Sequence, residues 1–125
     1  LHAVCNFFIC FLDDALFDQG LDFAIRDWAR IDPDVRAKID AADAKRIAAV
    51  TAMFEAHGYC AAEADARARI LYYMQLGYHA LDVREPLTTR LARIEGYLKG
   101  FTGVDPDADL LGSFAARARA LRAEQ

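Results

Sequence analysis

At 125 residues, 55% of them apolar, the chain is long enough to bury a core and too apolar to be disordered. Its formal net charge of −4 argues against this segment gripping nucleic acid by itself, because a phosphate-binding surface is net basic. No apolar run reaches the ~20 residues of a membrane span, and the apolar start Leu1–Leu12 lacks the basic flank and small-residue cleavage site of a signal peptide.

Leu1 is not an initiator Met and no capping residue precedes the first helix, so the expectation is a longer protein with a segment upstream. The first helix is expected over 3–17, with Val4, Phe8, Phe11, Leu12 and Ala15 on one stripe. Gly20 is read as its breaker, and a short helix from Leu21 to Arg30 follows, with Leu21, Ile25 and Trp28 on one side. Asp32-Pro33 is a strong start signal: the aspartate accepts free N–H groups and the proline sits where no N–H is needed. That helix runs to about His57, carries Ile47, Val50 and Phe54 inward, and stops at Gly58.

The next helix starts after Cys60, where Glu63 offers half of a capping box, and runs to about Asp82. It carries two adjacent apolar stripes, Leu71, Met74, Tyr78 and Leu81 on one and Ile70, Tyr73, Gly77 and Ala80 on the other. Glu85-Pro86 opens a helix ending near Gly100 to Gly103, with Leu87, Leu91, Ile94, Leu98 and Phe101 at 4-3-4-3 spacing, a seam pattern. Asp105-Pro106 opens a last amphipathic helix with Leu111, Phe114, Ala118 and Leu121 inside and Arg117, Arg119 and Arg122 outside. The expected fold is all-α, about six helices, read as a single domain over 1–125. A helix with two apolar stripes must bury both, and one of them needs a partner. The interface residues expected are Tyr73, Gly77, Tyr78, Leu81, Leu87, Leu91, Ile94 and Leu98, in a homodimer whose two C-terminal helices pair as a four-helix bundle.

Signals for chemistry are sparse. Asp13, Asp14 and Asp18 resemble an aspartate-rich magnesium motif, but no second aspartate helix faces them, and a solvated helix end is the simpler reading. A di-iron bundle needs Glu-x-x-His pairs, and no Glu stands three residues before a His; Glu55 and His57 are two apart. His2 and Cys5 are three apart without a second ligand pair, and His79 reads as a packed or rim histidine. Ser113, the only serine, sits in the last segment with no base beside it. Cys5, Cys10 and Cys60 are an odd set at irregular spacing, so they are read as thiols in a reducing cytoplasm rather than a disulfide framework. Cys60, near a helix start with His57 three residues back, is the one thiol with a reactive setting. No Gly-rich phosphate loop, dinucleotide fingerprint or helix-turn-helix is present, and no metal or cofactor is expected.

Aromatics crowd the first quarter. Phe8, Phe11, Trp28 and Phe54 lie on apolar sides of three helices; if those sides converge they line, with Leu12, Val50 and Tyr72 as further candidates, either a small-molecule pocket or a filled core.

The blocks Leu21-Asp-Phe-Ala-Ile-Arg-Asp-Trp-Ala29, Asp32-Pro-Asp-Val-Arg36, Asp43-Ala-Lys-Arg46, Met53-Phe54 with Gly58, Glu63-Ala64, Ala66-Arg-Ala-Arg69 and Leu71-Tyr-Tyr73 with Gly77-Tyr78 share an order and spacing. Together, over about 20–103, they resemble the C-terminal regulatory domain of the tetracycline-repressor (TetR) family of transcription regulators. The resemblance implies a cytoplasmic homodimer, an apolar effector bound among the first helices, and operator DNA read by a helix-turn-helix domain upstream of Leu1. It implies no catalysis. It maps the family's interface onto 61–82 and 86–101. Asp13-Asp14 and the arginine-bearing tail from Asp107 to Gln125 depart from the pattern. Arg26, Asp43 and Arg46 belong to the shared blocks; they read as an ion-paired cluster tying two helices together or as an anchor for an anionic effector, and the paired reading is preferred.

Overall fold

The computed structural model describes residues 1–13 and 16–123. Among them the chain is all-helical: α1 His2–Leu12, α2 Gln19–Ala29, α3 Pro33–Ala56, α4 Ala61–Ala80, α5 Leu87–Ala92, α6 Ile94–Thr102 and α7 Ala108–Ala123, with no strand. None of these helices is long and apolar enough to cross a membrane.

Local chemistry sets the boundaries. Asp32 Oδ1 accepts the N–H groups of Asp34 and Val35 at 2.9 and 3.2 Å, with Pro33 behind it, which fixes the start of α3. Gly58 at φ 95° turns the chain out of α3, in a region where a side chain would strain the backbone. Cys60 holds the cap position of α4 without a side-chain cap bond, and Glu63 is drawn into an ion pair with Arg67 at 2.9 Å.

Four boundaries differ from expectation. α1 ends at Leu12, because Asp13 is already extended at φ −99°, ψ 104°; the expected stripe residue Ala15 and the motif residue Asp14 lie outside the described residues. Gly20 does not break a helix but sits in the first turn of α2, whose cap is Asp18, accepting the Leu21 N–H at 3.0 Å. The helix expected over 86–101 is two. Arg93, at φ −98°, ψ −5°, donates its N–H to Arg90 O, a three-residue turn that replaces the four-residue ladder bond. Asp107, not Asp105, caps α7 by accepting the Leu110 N–H at 2.7 Å, and Asp105 pairs with Lys99 instead.

The chain divides into two compact units, one of Asp18–Leu81 and one of Leu1–Phe17 with Asp82–Gln125. In the first, α2 packs on α3 and α3 on α4. Ile47, Val50 and Phe54 of α3 are buried, as are Ala64, Ala68, Leu71 and Tyr72 of α4. The two alanines sit four apart on the inward line of α4 and let the helix axes close up, since no side chain beyond Cβ holds them apart. In the second unit α1 packs on α7. The Phe8 ring meets Phe101 at 5.6 Å and Phe114 at 6.3 Å, and Arg117 donates to Asn6 Oδ1 at 2.9 Å. Edge-on and tilted ring contacts of this kind add roughly 0.5–1.5 kcal/mol each beyond the burial itself.

Candidate functional site

The unit of α2, α3 and α4 carries three features of consequence: an ion network at its centre, an open groove beside it, and an apolar stripe on the outer face of α4.

The network begins with the spacing Asp22-x-x-x-Arg26, one helical turn apart. Arg26 Nε donates to Asp22 at 2.7 Å, and its two terminal nitrogens donate to the two oxygens of Asp43 on α3 at 2.8 and 2.7 Å. This fork-on-fork geometry is the strongest form of the pair. Tyr72 of α4 donates its hydroxyl to Asp43 Oδ1 at 2.6 Å, and Arg46 donates to Tyr72 Oη at 3.3 Å. Three helices are thereby tied at one carboxylate. The hydrogen bond with Asp43 raises the affinity of the Arg26 guanidinium for its proton above the ordinary range, against the opposing effect of burial. Burial works against the charge of Asp43, but the bonds from Arg26 and Tyr72 outweigh it and hold the carboxyl below its ordinary range. Burial, with the bond to Asp43, pushes the Tyr72 phenol up.

Two arginines face two aspartates, so the cluster is neutral, and Arg26 has spent its donors on protein carboxylates. It ties α2 to α3 and leaves no surplus charge for an anionic effector. Asp22, the one buried charged member of the cluster, escaped the sequence reading, although its place one turn before Arg26 was a usable signal.

Beside the network lies an open groove of about 620 Å³ between α3 and α4. Its floor is Ala44, Ala48 and Ala52, one per turn of α3, and its α4 wall is Asp65, Arg69 and Tyr73. The rim charges are mostly spent on each other: Arg36 on Asp40, Arg69 on Asp65, Asp43 on Arg26. Thr51 of α3 also lines the groove and has its hydroxyl oxygen buried with no hydrogen-bond partner.

The outer stripe of α4 is exposed in the single chain. Ile70, Tyr73 and Leu81 are 57%, 52% and 78% accessible; Ala66 and Ala80 are exposed, and Gly77 is half-exposed. The buried line of α4 runs instead through Ala64, Ala68, Leu71, Tyr72 and Gln75.

The pocket candidates divide between the two units: Phe8, Phe11 and Leu12 in one, Trp28, Val50, Phe54 and Tyr72 in the other. Phe8, Phe11, Val50, Phe54 and Tyr72 are buried packing residues, and Leu12 is half-buried. Trp28, expected on an apolar inner side, is 56% accessible, because the α2 face toward α3 is the one with Asp22, Arg26 and Ala29. Of the interface candidates, Tyr73 and Leu81 are exposed, while Gly77, Tyr78, Leu87, Leu91 and Ile94 are half-buried. Leu98 is fully buried in the single chain and is a core residue. Asp13 ends α1 and Asp18 caps α2, each with a local backbone role. Cys10 and Cys60 are exposed and free, and Cys5 is buried.

No protein-family model, curated protein or solved structure matches the chain.

Proposed function

We propose that this chain is the self-associating regulatory domain of a transcription regulator of the tetracycline-repressor type. The observation that carries the reading is the outer stripe of α4. A 20-residue helix already has one line buried against α3, yet it presents a second apolar line to solvent. An apolar face of that length is an interface in waiting. The stripe supports the self-association half of the reading; the family resemblance supports the sensing half.

In this reading two copies pair through α4, and an apolar effector shifts the angle between them. Two DNA-reading heads, supplied by a segment upstream, would then no longer match successive major grooves. The domain itself does no chemistry.

The coding region before Leu1 tests the regulator reading. A basic segment of about 50–70 residues with helix-turn-helix spacing supports it. An unrelated upstream segment removes DNA from the function and leaves a helical association module. For the sensing half, a panel of apolar compounds should raise the melting temperature of the chain, since a ligand that binds only the folded state stabilises it; a panel that leaves it unmoved counts against an apolar effector.

A further inference from the structure

Thr51 and Thr102 are both helical threonines, and they treat their hydroxyls differently. Thr102 donates to Leu98 O, one turn back, at 2.7 Å, the common local solution for this side chain. Thr51 Oγ1 is buried and makes no hydrogen bond, which costs the fold. Thr51 is also the one of the two that lines the α3–α4 groove.

The charges of the groove single out the same place. Arg36 pairs with Asp40, Arg69 with Asp65, and Arg26 with Asp43. Of the charged side chains lining the groove, the exposed Glu55 is the one with no ion pair among the described residues. One uncompensated negative charge disfavours an anion and suits a single cation. Glu55 stands one turn after Thr51 on α3, so the free charge and the unmet hydroxyl share one end of the groove. Away from that end run the exposed methyls of Ala52, Ala48 and Ala44, one per turn, a track ~12 Å long at 1.5 Å per residue. Tyr73, next to the Tyr72 that bonds Asp43, stands at the Ala44 end.

We propose that this groove binds a primary amine carrying an extended apolar chain, with the ammonium between Glu55 and Thr51 and the chain along the alanine track toward Tyr73. Threonine in a helix divides between two rotamers, so a turn about the Thr51 Cα–Cβ bond offers its oxygen to the occupant. The ammonium then donates one N–H to Thr51 and another to the Glu55 carboxylate. A carboxylate on the same chain would be repelled by Glu55, and a quaternary ammonium would bring the charge with no N–H to donate. The groove's volume of about 620 Å³ lies within the ~300–1,000 Å³ of small-molecule sites. The site goes beyond the apolar effector of the reading above, and it needs neither a second copy nor a DNA-reading segment.

The probe is decylamine, protonated at neutral pH as a lysine side chain is, titrated calorimetrically into the full chain at low salt. One molecule should bind per chain. Decanoate should bind at least about tenfold more weakly, and decyltrimethylammonium about fivefold more weakly. Glu55→Gln should weaken decylamine about three- to fivefold, the scale of an exposed ion pair, and that difference should shrink at high salt. Thr51→Val should weaken decylamine about fivefold, leave decyltrimethylammonium unchanged, and keep the chain at least as stable to heat. Decylamine that gives no heat at millimolar concentration, or that binds at several sites per chain, would overturn the site. Affinity indifferent to both substitutions would do the same. Decanoate bound as tightly as decylamine would overturn the amine while leaving an apolar effector standing.

Discussion

α4 and the segment 87–102 look alike in sequence and differ in what they do with their stripes. Both repeat apolar residues at alternating three and four spacing, and both were expected to face a second copy. In α4 the outer stripe remains exposed, because a separate line through Ala64, Ala68, Leu71 and Gln75 does the packing. In 87–102 the helix breaks at Arg93, and the seam's far end, Leu98 and Phe101, is consumed by the single chain's core. The spacing of a stripe says that it must be covered, not by what. A helix is free to offer a stripe outward only when it has another to spend inward.

That contrast can be broken most forcefully at the two stripes themselves. Leu98→Ala should cost about 2–5 kcal/mol in urea unfolding, the range for a fully buried leucine. Ile70→Ala, measured in the same way below the dimer dissociation constant, should cost no more than about 0.5 kcal/mol apart from small propensity effects. Comparable losses at both positions would erase the distinction between them.

The next largest effect should come from the network that holds α3 against its neighbours. Asp43→Asn removes one charge of a mostly buried cluster and leaves Arg26 under-compensated. A loss of about 2 kcal/mol is expected, less than for a fully enclosed pair because both side chains keep some solvent contact. The same residue sets a pH limb. Its carboxyl titrates below the ordinary 3.8 in the fold, so its contribution is present above that value and fades as pH falls through the depressed one. Tyr72 sets the opposite limb. Its phenol titrates above the ordinary 10.0, so stability holds below pH 10.0 and fades as pH rises through the raised value. In thermal melts across pH, Asp43→Asn should flatten the acid limb, and Tyr72→Phe the alkaline one.

A smaller gain is expected beside the groove. The buried Thr51 hydroxyl has no partner, and an unmet polar group costs roughly 1–3 kcal/mol. Thr51→Val should therefore raise stability by about 1 kcal/mol; a loss of similar size would mean that the hydroxyl is satisfied in solution.

Much of this architecture is legible in the sequence. Asp32-Pro33 and Gly58 bound α3 as their chemistry dictates, and the all-helical class followed from periodicity and punctuation. The pairing of Arg26 with Asp43 was readable as a link between helices because buried charges seek partners. Other parts were hidden for physical reasons. Alanine is both the best helix former and a core residue, so the inward line at Ala64 and Ala68 looked like neutral filler. Nothing in Leu91-Ala-Arg-Ile94 announces a break, since the turn at Arg93 keeps near-helical dihedrals. Trp28 looked like a core anchor because it shares an apolar side with Leu21 and Ile25, and only the ion network shows which face of α2 turns inward.

The central claim is that the outer stripe of α4 is covered by a second copy of the chain. Sedimentation equilibrium of wild type and Ile70→Asp, side by side at micromolar concentration, tests it most directly. The account predicts twice the single-chain mass for wild type and the single-chain mass for the variant, with equal helical signal. Equal masses for the two would contradict it.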